Sequence, residues 1–567
     1  MTPGWTGPAA ACARCADRPP VDEHLATIWE SIADRLPGEI ALIHGAVRRS
    51  WRDFEQRAAC FAAALAAGGI RAGQTVAIDM YNCPEYLEVF FAALKIRAVP
   101  ANVNYRYLDE ELHQLLEQSE AAALVYHAAL RGPVARATAK TPRLRLLAEV
   151  EQGGPAGRTP EGVHRYEDLI RAHRPAPRIQ RPASDVFLSF TGGTTGLPKG
   201  VEYVIGDSAR NTRVLGRQML GLADIDWDGP APDRAVLLHQ QRRRPAALPA
   251  SPLMHSSGLI MASLPVLTAG GTVVTLAARH FDPDELFNTV AATRPRTVSI
   301  VGDAFARPMM RALHRQAATG PGYDASSLVT ITSAGVAWSA EVKQAILEHI
   351  PQVTLVDACG STEGALIGSM ISQRGMPLST DRFVPAPGVR ILRPDGSDIP
   401  SSSAEIGMFL APTVARGYRN DPQRTAAAFR VVGGQRYVST GDCGRWNADG
   451  TVTLVGRGTS TINTGGEKVF PEEVEKVIRA LPDVDDCVVL GLPDPRFGQQ
   501  VAAVVQPHGG DLDPATVVAA VRQRLAAYKA PRTVVVAPVP RAPNGKVMLD
   551  AARRLLAGGQ RAERRPG

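Results

Sequence analysis

Alternation of strand-like and helix-like patterns is the feature that most limits how this chain can fold. Short β-branched or apolar runs predict strands at Thr75–Met80, Ala121–Tyr126, Thr272–Ala277 and Thr297–Asp303, and helical patterns separate them. The alternation extends over roughly 350 residues, which is typical of α/β domains with largely parallel sheets. We therefore predict that the N-terminal part of the chain is an α/β domain.

One helix of this region can be predicted with both of its ends. Ser50 is a suitable N-cap, and the pair Gly68–Gly69 predicts the end of the helix. Its apolar residues recur at a spacing of three to four and should form one buried face. They are Trp51, Phe54, Ala58, Phe61 and Leu65.

The pattern changes after about Val384, where Gly, Pro, Asp and Ser interrupt short strands. Asp-Gly pairs in this segment predict hairpins and a small β-rich subdomain. A compact α+β unit is predicted after Arg457. Its clearest helix begins at Pro471, with Glu472 and Glu473 in the first turn. Its buried stripe should consist of Val474, Val477, Ile478 and Leu481.

The chain has 567 residues, too many for a single hydrophobic core. We find no internal repeats. The predicted divisions are a disordered leader at 1–20, an N-terminal domain at 21–456 whose part 384–456 is the β-rich subdomain, a C-terminal α+β domain at 457–555, and a basic tail at 556–567.

Charge and cysteine content exclude several classes of protein. The net charge of +7 is spread out, with local excesses at 242–244 and in the tail, so no nucleic-acid module is predicted. The basic tail predicts at most a peripheral attraction to anionic lipid. No signal peptide or membrane span is predicted, and the seven scattered cysteines favour the reducing cytoplasm. Cys12 and Cys15 form one CxxC pair, but no second pair nearby could complete a zinc site.

The segment "FTGGTTGLPKG", Phe190–Gly200, points to a phosphate group. It follows a predicted strand, Asp185–Phe190, and glycine-rich turns at strand ends can present several backbone N–H groups to an anion. Lys199 adds a positive charge. Further hydrogen-bond donors are the hydroxyls of Thr191, Thr194 and Thr195.

The spacing in this segment differs from that of the Walker loop. A Walker loop has Gly, four residues, and then Gly-Lys-Ser/Thr. Here Lys199 follows Pro198 and precedes Gly200, so no position fits that pattern. P-loop kinases and GTPases are therefore disfavoured.

Seven stretches in the same order resemble the acyl-adenylate-forming superfamily, which comprises acyl-CoA synthetases, peptide-synthetase adenylation domains and luciferases. Together they extend from the phosphate loop to near the C-terminus. They are "FTGGTTGLPKGV", "PLMHSSGL" (Pro252–Leu259), "SAGVAWS" (Ser333–Ser339), "DACGSTEG" (Asp357–Gly364), "YVSTGDCG" (Tyr437–Gly444), "VGRGTSTINTGGEKVFPEEVE" (Val455–Glu475) and "PRAPNGKVMLD" (Pro540–Asp550).

The resemblance implies a large N-terminal domain with two mostly parallel, helix-flanked sheets and a small β-barrel-like subdomain, followed by a small, mobile α+β lid. It also implies a first reaction in which a carboxylate attacks the α-phosphorus of ATP. Both reactants are anions, so the site needs positive charge and fixed donors. Mg²⁺ is the implied metal, and coenzyme A is the implied second substrate.

The resemblance assigns roles to residues of the nucleotide site. It places Thr362 at the α-phosphate, Glu363 at Mg²⁺ and Asp357 at the adenine amino group. The family usually has an aromatic residue where this chain has Cys359, which puts the geometry of nucleotide binding in question. The residues implied around the phosphates and base are Thr191, Gly192, Gly193, Thr194, Thr195, Gly196, Lys199 and Gly335.

Two further residues are implied to bind the ribose. Asp442 can accept from both ribose hydroxyls, since a carboxylate has two oxygens. Arg457 is implied to reach ribose and phosphate, and it marks the border of the C-terminal domain. The hinge of the family carries Asp or Lys two residues later, where this chain has Thr459, so a hinge mechanism that depends on charge is in question.

The resemblance also implies two half-reactions that use different faces of the C-terminal domain. Lys546 would bridge the carboxylate and the α-phosphate in the first. In the second, the domain turns and the loop Asn463–Lys468 replaces Lys546, with Gly465 and Gly466 leaving room for pantetheine. His255 is implied to lie near the entrances for acyl group and thiol.

Within the superfamily, the stretches "VGDAFARP" (Val301–Pro308) and "INTGGEKVFPEEVE" resemble those of actinobacterial synthetases acting on long-chain or steroid side-chain acids. The predicted function is an ATP-dependent acyl-CoA ligase with a fatty or bulky acid as substrate, and the resemblance allows a homodimer. Two alternatives stay open. One is a stand-alone enzyme that loads an acyl group onto a carrier protein, and the other is a non-catalytic nucleotide-binding relative.

Overall fold

The computed structural model describes residues 24–151, 159–191, 199–335, 338–364, 366–457, 462–507, 509–510, 512–540 and 547–563. The predicted leader at 1–20, with Cys12 and Cys15, lies outside the described residues, as do Thr459 and Lys546.

Helices and strands alternate through the first part of the chain, as predicted. The helices are α1 Leu25–Arg35, α2 Trp51–Ala67, α3 Pro84–Lys95, α4 Asp109–Gln118, α5 Arg131–Thr138, α6 Tyr166–Ala172, α7 Ile205–Met219, α8 Ala231–Gln240, α9 Leu264–Thr268, α10 Pro283–Thr293, α11 Gly302–Thr319 and α12 Ala340–His349. The strands are β1 Ile40–His44, β2 Val47–Ser50, β3 Thr75–Asp79, β4 Val99–Asn102, β5 Ala121–His127, β6 Leu146–Val150, β7 His164–Arg165, β8 Val186–Thr191, β9 Lys199–Val204, β10 Ala246–Pro249, β11 Thr272–Thr275, β12 Thr297–Ile300, β13 Thr330–Ala334, β14 Thr354–Gly360 and β15 Leu366–Ser372.

Strands dominate the next segment, and the last part of the chain is α+β. The β-rich segment contains β16 Arg382–Pro385, β17 Arg390–Leu392, β18 Gly407–Pro412, β19 Ala415–Tyr418, α13 Pro422–Ala428, β20 Phe429–Val432, β21 Gln435–Val438, β22 Asp442–Trp446 and β23 Val452–Arg457. The C-terminal part contains β24 Ile462–Thr464, β25 Glu467–Val469, α14 Pro471–Arg479, β26 Val484–Asp494, β27 Gly498–Pro507, α15 Pro514–Arg524, β28 Thr533–Val536 and α16 Leu549–Glu563.

Two sheets of the N-terminal part are mostly parallel. The first runs β2-β1-β11-β10-β12-β13-β14-β15, with antiparallel pairing only at its β1–β2 and β14–β15 ends. The second runs β19-β9-β8-β4-β3-β5-β6-β7 and is parallel from β8 to β7. The first sheet continues through β16 into the antiparallel strands of the β-rich segment, so the subdomain is hydrogen-bonded to it. A third, separate sheet belongs to the C-terminal part.

The core between the sheets is aromatic and apolar around the first helices. Trp29 of α1 is fully buried and meets Phe91 of α3 edge to face at 5.1 Å. Phe54, on the predicted face of α2, lies 5.2 Å from the same ring. Edge-to-face contacts of this kind add to the free energy gained by burial. These aromatic contacts join α1, α2 and α3 in one hydrophobic core.

Most sequence predictions for individual elements are confirmed, and the exceptions are strand ends, such as that of the strand predicted at Thr272–Ala277, which ends at Thr275. Ser50 caps α2 in a capping box with Asp53, and Gly68 is its C-cap. The strand predicted at Thr297–Asp303 ends at Ile300, because Gly302 already begins α11. The tail predicted from 556 also begins inside a helix, since α16 runs through Glu563.

None of the described helices combines the length and the apolar content that crossing a bilayer requires.

Candidate active site

The phosphate-loop segment connects two hydrogen-bonded neighbours. β8 ends at Thr191 and β9 begins at Lys199, and these two residues face each other in the antiparallel register. The loop therefore leaves and re-enters the second sheet at one point. Gly192, Gly193, Thr194, Thr195 and Gly196 lie outside the described residues, so the structure describes only the flanks of this predicted site.

Tyr418 connects the flank of the loop to the predicted metal ligand. Its strand, β19, pairs with β9, and its ring lies 5.3 Å below the ammonium of Lys199. Its hydroxyl donates to Glu363 Oε1 at 2.9 Å. The next residue, Arg419, adds a hydrogen bond to β9, because its backbone N–H donates to the carbonyl of Gly200 at 2.7 Å. The strand thus brings a cation and a carboxylate from distant motifs to one place.

Glu363 and Thr362 lie in a turn that other elements hold from outside. The hydroxyl of Tyr203 donates to the Thr362 carbonyl at 2.7 Å, and the hydroxyl of Thr413 donates to the Glu363 carbonyl at 2.5 Å. Gly364 closes the turn at φ +77, where an added Cβ would lie 2.9 Å from the Thr413 hydroxyl. The turn therefore requires glycine at this position.

The Glu363 carboxylate is buried and charged, and only one of its two oxygens accepts a hydrogen bond from a described residue. Burial opposes its ionisation, but Lys468, the Tyr418 hydroxyl and Lys199 bring its pKa below the ordinary value for glutamate. Its Oε2 is buried and has no hydrogen-bond partner among the described residues. A charged oxygen without a donor is a suitable ligand for a divalent cation. No group of three or more His, Cys, Asp or Glu in the described part could hold a metal by itself, so substrate oxygens would have to complete a Mg²⁺ site.

The residues predicted for the base come together at the ends of β13 and β14. Asp357 faces Ser333 in the parallel register, and Gly335 follows β13 in the left-handed region at φ +93. Asp357 is 6% exposed and forms an ion pair with Lys343 of α12, with 3.4 Å between Nζ and Oδ2. Cys359 is partly buried against the main core, so a small apolar surface lies where an aromatic ring was expected.

The predicted ribose ligands are neighbours on adjacent strands. Asp442 begins β22 and faces Arg457, the last residue of β23, in the antiparallel register. Asp442 is 8% exposed and accepts a hydrogen bond from the hydroxyl of Thr440. The pairing explains how one motif in the β-rich segment and one at the domain border can address the same sugar.

The glycine pair of the C-terminal part forms the tip of a hairpin between β24 and β25. Gly465 and Gly466 have φ of +60 and +88, and the Gly465 N–H donates to the Phe497 carbonyl at 2.8 Å. The tip lies against the N-terminal part. A Cβ on Gly466 would lie 2.6 Å from Val301 Cγ1, and a Cβ on Gly335 would lie 3.7 Å from the Gly466 Cα. The pair therefore serves both a tight turn and a close approach between domains.

Glu467, next to this tip, is bound by three residues of the N-terminal part. It lies 2.6 Å from Arg106 Nη1, 3.2 Å from Asn104 Nδ2 and 3.2 Å from His255 Nε2. Burial opposes its charge, but His255, Arg106 and Lys529 lower its pKa to about 2. An ionised carboxylate can only accept, so Nε2 of His255 carries the proton in this contact. His255 is thereby oriented from the C-terminal part.

A second polar contact crosses the same interface. Lys529 Nζ lies 2.6 Å from Glu111 of α4 and 2.8 Å from Glu473 of α14. The Ala526 N–H also donates to Glu111, at 2.8 Å. Burial disfavours the charge on Lys529, and Glu111 and Glu473 more than offset this and raise its pKa. Two carboxylates from two domains therefore share one buried cation.

Sequence reasoning missed several residues of this arrangement. The stretch "NVNYRY" contains Asn104 and Arg106, and "ARGYRN" contains Tyr418, but neither stretch was given a role in the site. An aromatic residue followed by arginine, Tyr418–Arg419 at the end of β19, was the available signal in "ARGYRN". Lys343 and Lys529 are isolated lysines in helical or turn segments and carry no signal in the sequence alone.

Comparison with known families covers both parts of the chain. Residues 29–419 match the AMP-binding enzyme family, and residues 473–546 match the AMP-binding enzyme C-terminal domain. The medium/long-chain-fatty-acid–CoA/3-oxocholest-4-en-26-oate–CoA ligase of Mycolicibacterium smegmatis is 33% identical, over 92% of this chain and 94% of that protein. The 3-oxocholest-4-en-26-oate–CoA ligase of Rhodococcus rhodochrous is 34% identical, over 92% of this chain and 94% of that protein.

Solved structures share the fold at lower identity. The amide bond synthetase McbA from Marinactinospora thermotolerans aligns with a TM-score of 0.74 at 24% identity, covering 94% of this chain and 99% of that chain. The o-succinylbenzoate CoA synthetase MenE from Bacillus subtilis aligns with a TM-score of 0.75 at 20% identity, covering 93% and 98%. These likenesses concern the fold alone.

Proposed function

Because the chain belongs to the AMP-binding enzyme family, we propose that it is an ATP-dependent ligase that joins a carboxylic acid to coenzyme A through an acyl-AMP intermediate. The superfamily resemblance given by the seven sequence motifs is confirmed. The observation that best supports the CoA step is the hairpin tip Gly465–Gly466, which lies against Val301 while Glu467 orients His255.

In the first step, a carboxylate oxygen of the substrate attacks the α-phosphorus of ATP, and pyrophosphate leaves. We assign the phosphates to the loop between Thr191 and Lys199, the α-phosphate to Thr362 and the ribose to Asp442 and Arg457. Mg²⁺ held by Glu363 would offset negative charge on the phosphates. Lys199, beside the same carboxylate through Tyr418, adds a fixed positive charge. Donors and charges fixed in advance are what such a transition state requires.

In the second step, the sulfur of coenzyme A attacks the acyl carbonyl carbon, AMP leaves and the thiol proton is released. We assign the glycine pair Gly465–Gly466 to the path of the pantetheine arm. The arrangement of domains in this structure suits this step, because the hairpin tip lies against Val301 and next to Gly335. Lys546, assigned to the first step, lies outside the described residues.

The acid is proposed to be a fatty or otherwise bulky acyl substrate, since the relatives named above are ligases of fatty acids and of a steroid side-chain acid. Pyrophosphate exchange with a panel of short-chain, long-chain and steroid side-chain acids tests this, followed by thioester formation with CoA or a phosphopantetheinylated carrier protein. Exchange with a bulky acid and thioester formed with CoA are expected. Absence of exchange with every acid would overturn the proposal, and transfer only to the carrier would replace CoA as acceptor. A cytoplasmic location stays part of the proposal.

Replacing the metal ligand should change the Mg²⁺ dependence of the first step. Glu363→Gln keeps the shape of the side chain but removes the charge, so pyrophosphate exchange should fall and the Mg²⁺ concentration for half-maximal rate should rise severalfold. The measurement is a Mg²⁺ titration of exchange. Glu202→Gln is the matched control, because Glu202 is buried nearby but pairs with Arg416 and Arg419. An unchanged titration in Glu363→Gln would remove this carboxylate from the metal site.

Breaking the Lys529 contact should impair only the second step. Glu111→Gln removes the N-terminal partner of Lys529 and so destabilises this arrangement of the domains relative to others. We expect thioester formation from supplied acyl-AMP to fall about tenfold, equivalent to about 1.4 kcal/mol. Pyrophosphate exchange should be unaffected. Glu110→Gln is the control, since the exposed Glu110 pairs with Lys140 within the same domain. Equal loss in both half-reactions would show that Glu111 serves only folding.

A further inference from the structure

Lys343 of α12 is a buried cation that the proposed chemistry does not use. It is 0% exposed, and its ammonium lies 3.4 Å from Asp357 Oδ2. It donates to the Ser379 carbonyl at 3.2 Å and lies 3.9 Å from the Met370 sulfur. The Trp338 ring covers it, with 5.7 Å from Nζ to the ring centroid. The cation is therefore enclosed, and its only described carboxylate contact is Asp357.

A purely structural pair would be a costly way to fill this space. Taking two opposite charges out of water costs about as much free energy as their attraction returns, and apolar side chains of similar volume stabilise equally well. Asp357 also lies within β14 opposite Ser333 of β13, two residues before Gly335, where the proposed function places the base of ATP. The pair is thus better explained by a role in binding.

A second carboxylate acts on the pair from α11. Asp303 is 6% exposed, and its oxygens accept from the Ser339 N–H and from Arg307 Nε, each at 3.0 Å. Burial raises the pKa of Asp357 to about 6, with Lys343 lowering it and Asp303 raising it. Lys343 and Asp303 are the charged groups that face Asp357. Without Lys343, both remaining effects favour the protonated carboxyl.

The charge on Asp357 decides which purine it can bind. An ionised carboxylate only accepts hydrogen bonds, whereas a protonated carboxyl can also donate. Adenine presents an amino donor at position 6, and a 6-oxopurine presents a carbonyl acceptor there. An ionised Asp357 therefore suits adenine and repels hypoxanthine, and a protonated Asp357 reverses this preference.

We propose that Lys343 is a positioning residue that holds Asp357 as a negatively charged acceptor and thereby makes the nucleotide site select adenine over a 6-oxopurine. The inference rests on the proposed function, because it takes the assignment of Asp357 to the base from there. The inference adds that Lys343, which does not touch the nucleotide, determines through Asp357 which purine base is bound.

The test compares dissociation constants of ATP and ITP between pH 5 and pH 9, with neither acid nor CoA present. In the wild-type protein, ATP should be preferred above about pH 6, and the preference should decline below it. Lys343→Met keeps an unbranched buried side chain without charge. It should reduce the ATP preference at pH 7.5 about tenfold or more, the scale of one hydrogen bond to a charged group. It should also move the midpoint of the pH profile upward.

Two further variants separate this role from a merely structural one. Asp303→Asn keeps an oxygen acceptor for Ser339 and removes the opposing charge, so the midpoint should move downward. Lys343→Met combined with Asp357→Asn removes both buried charges, and the preference should then stop depending on pH. This double variant also tests the proposal if Lys343→Met alone does not fold, since a titration that persists in it would overturn the assignment to Asp357.

The outcomes that contradict the two proposals differ. If Lys343→Met weakens ATP and ITP equally and leaves the midpoint in place, Lys343 is structural and only this inference is overturned. If the wild-type protein binds neither nucleotide, the proposed ligase function is overturned as well.

Discussion

Gly466→Leu should lower CoA-thioester formation by at least about a hundredfold while pyrophosphate exchange stays within a fewfold of the wild type. The Cβ of any residue here would lie 2.6 Å from Val301 Cγ1, closer than atoms can approach without movement. A leucine would also fill the space assigned to pantetheine. Both half-reactions are measured on the same protein, with a melting curve. Full retention of thioester formation would remove this hairpin from the thiol path.

The positive φ of Gly466 requires a control, because a side chain at φ +88 is strained in any domain arrangement. Gly450→Leu supplies it: Gly450 has φ +79 in another hairpin and no atom within 4 Å of an added Cβ. That variant should lose stability without a selective loss of the second step. Gly466→Ala with Val301→Ala removes the collision but keeps the strain, so thioester formation should partly return. Parallel loss of both steps with a lowered melting temperature would show that the turn alone explains the glycine.

Lys546→Ala should lower acyl-AMP formation by about two to three orders of magnitude, the usual scale for one electrostatic contact made in the transition state. Thioester formation from supplied acyl-AMP should survive, because another face of the C-terminal domain serves that step. Pyrophosphate exchange and single-turnover thioester formation measure the two separately. Lys468→Ala is the matched variant. Lys468 belongs to the hairpin that this arrangement, assigned to the second step, brings near Glu363, so its loss should affect the second step more. Equal loss of both steps in Lys546→Ala would contradict the division of roles.

Local patterns predicted the elements of the fold well. Ser50 and the first turn of α14 form their capping contacts within three residues, and the apolar face of α2 follows from its helical spacing, so local sequence describes all three. The strand at Thr297 was predicted too long, because a β-branched run does not show where tertiary packing begins α11.

The candidate site was predictable only in part. Glu363, Asp357 and Asp442 occur in recognisable motifs, and the structure places Asp357 within β14, Glu363 in the turn after it and Asp442 at the start of β22. The contacts that arrange them were not predictable. Arg106 and Glu467 are 361 residues apart, and Lys529 and Glu111 are 418 apart. Such pairs exist only after two domains have met, so no local pattern contains them.

The two polar contacts across the domain interface have opposite polarity, and this makes the interface directional. At one, the C-terminal part contributes an anion, Glu467, to cationic Arg106; at the other it contributes a cation, Lys529, to anionic Glu111. An arrangement that brought Glu467 to Glu111, or Lys529 to Arg106, would place like charges next to each other. Like charges repel, so such an arrangement is disfavoured. The signs of these four charges therefore distinguish this arrangement of the two parts from one in which the two contacts are exchanged.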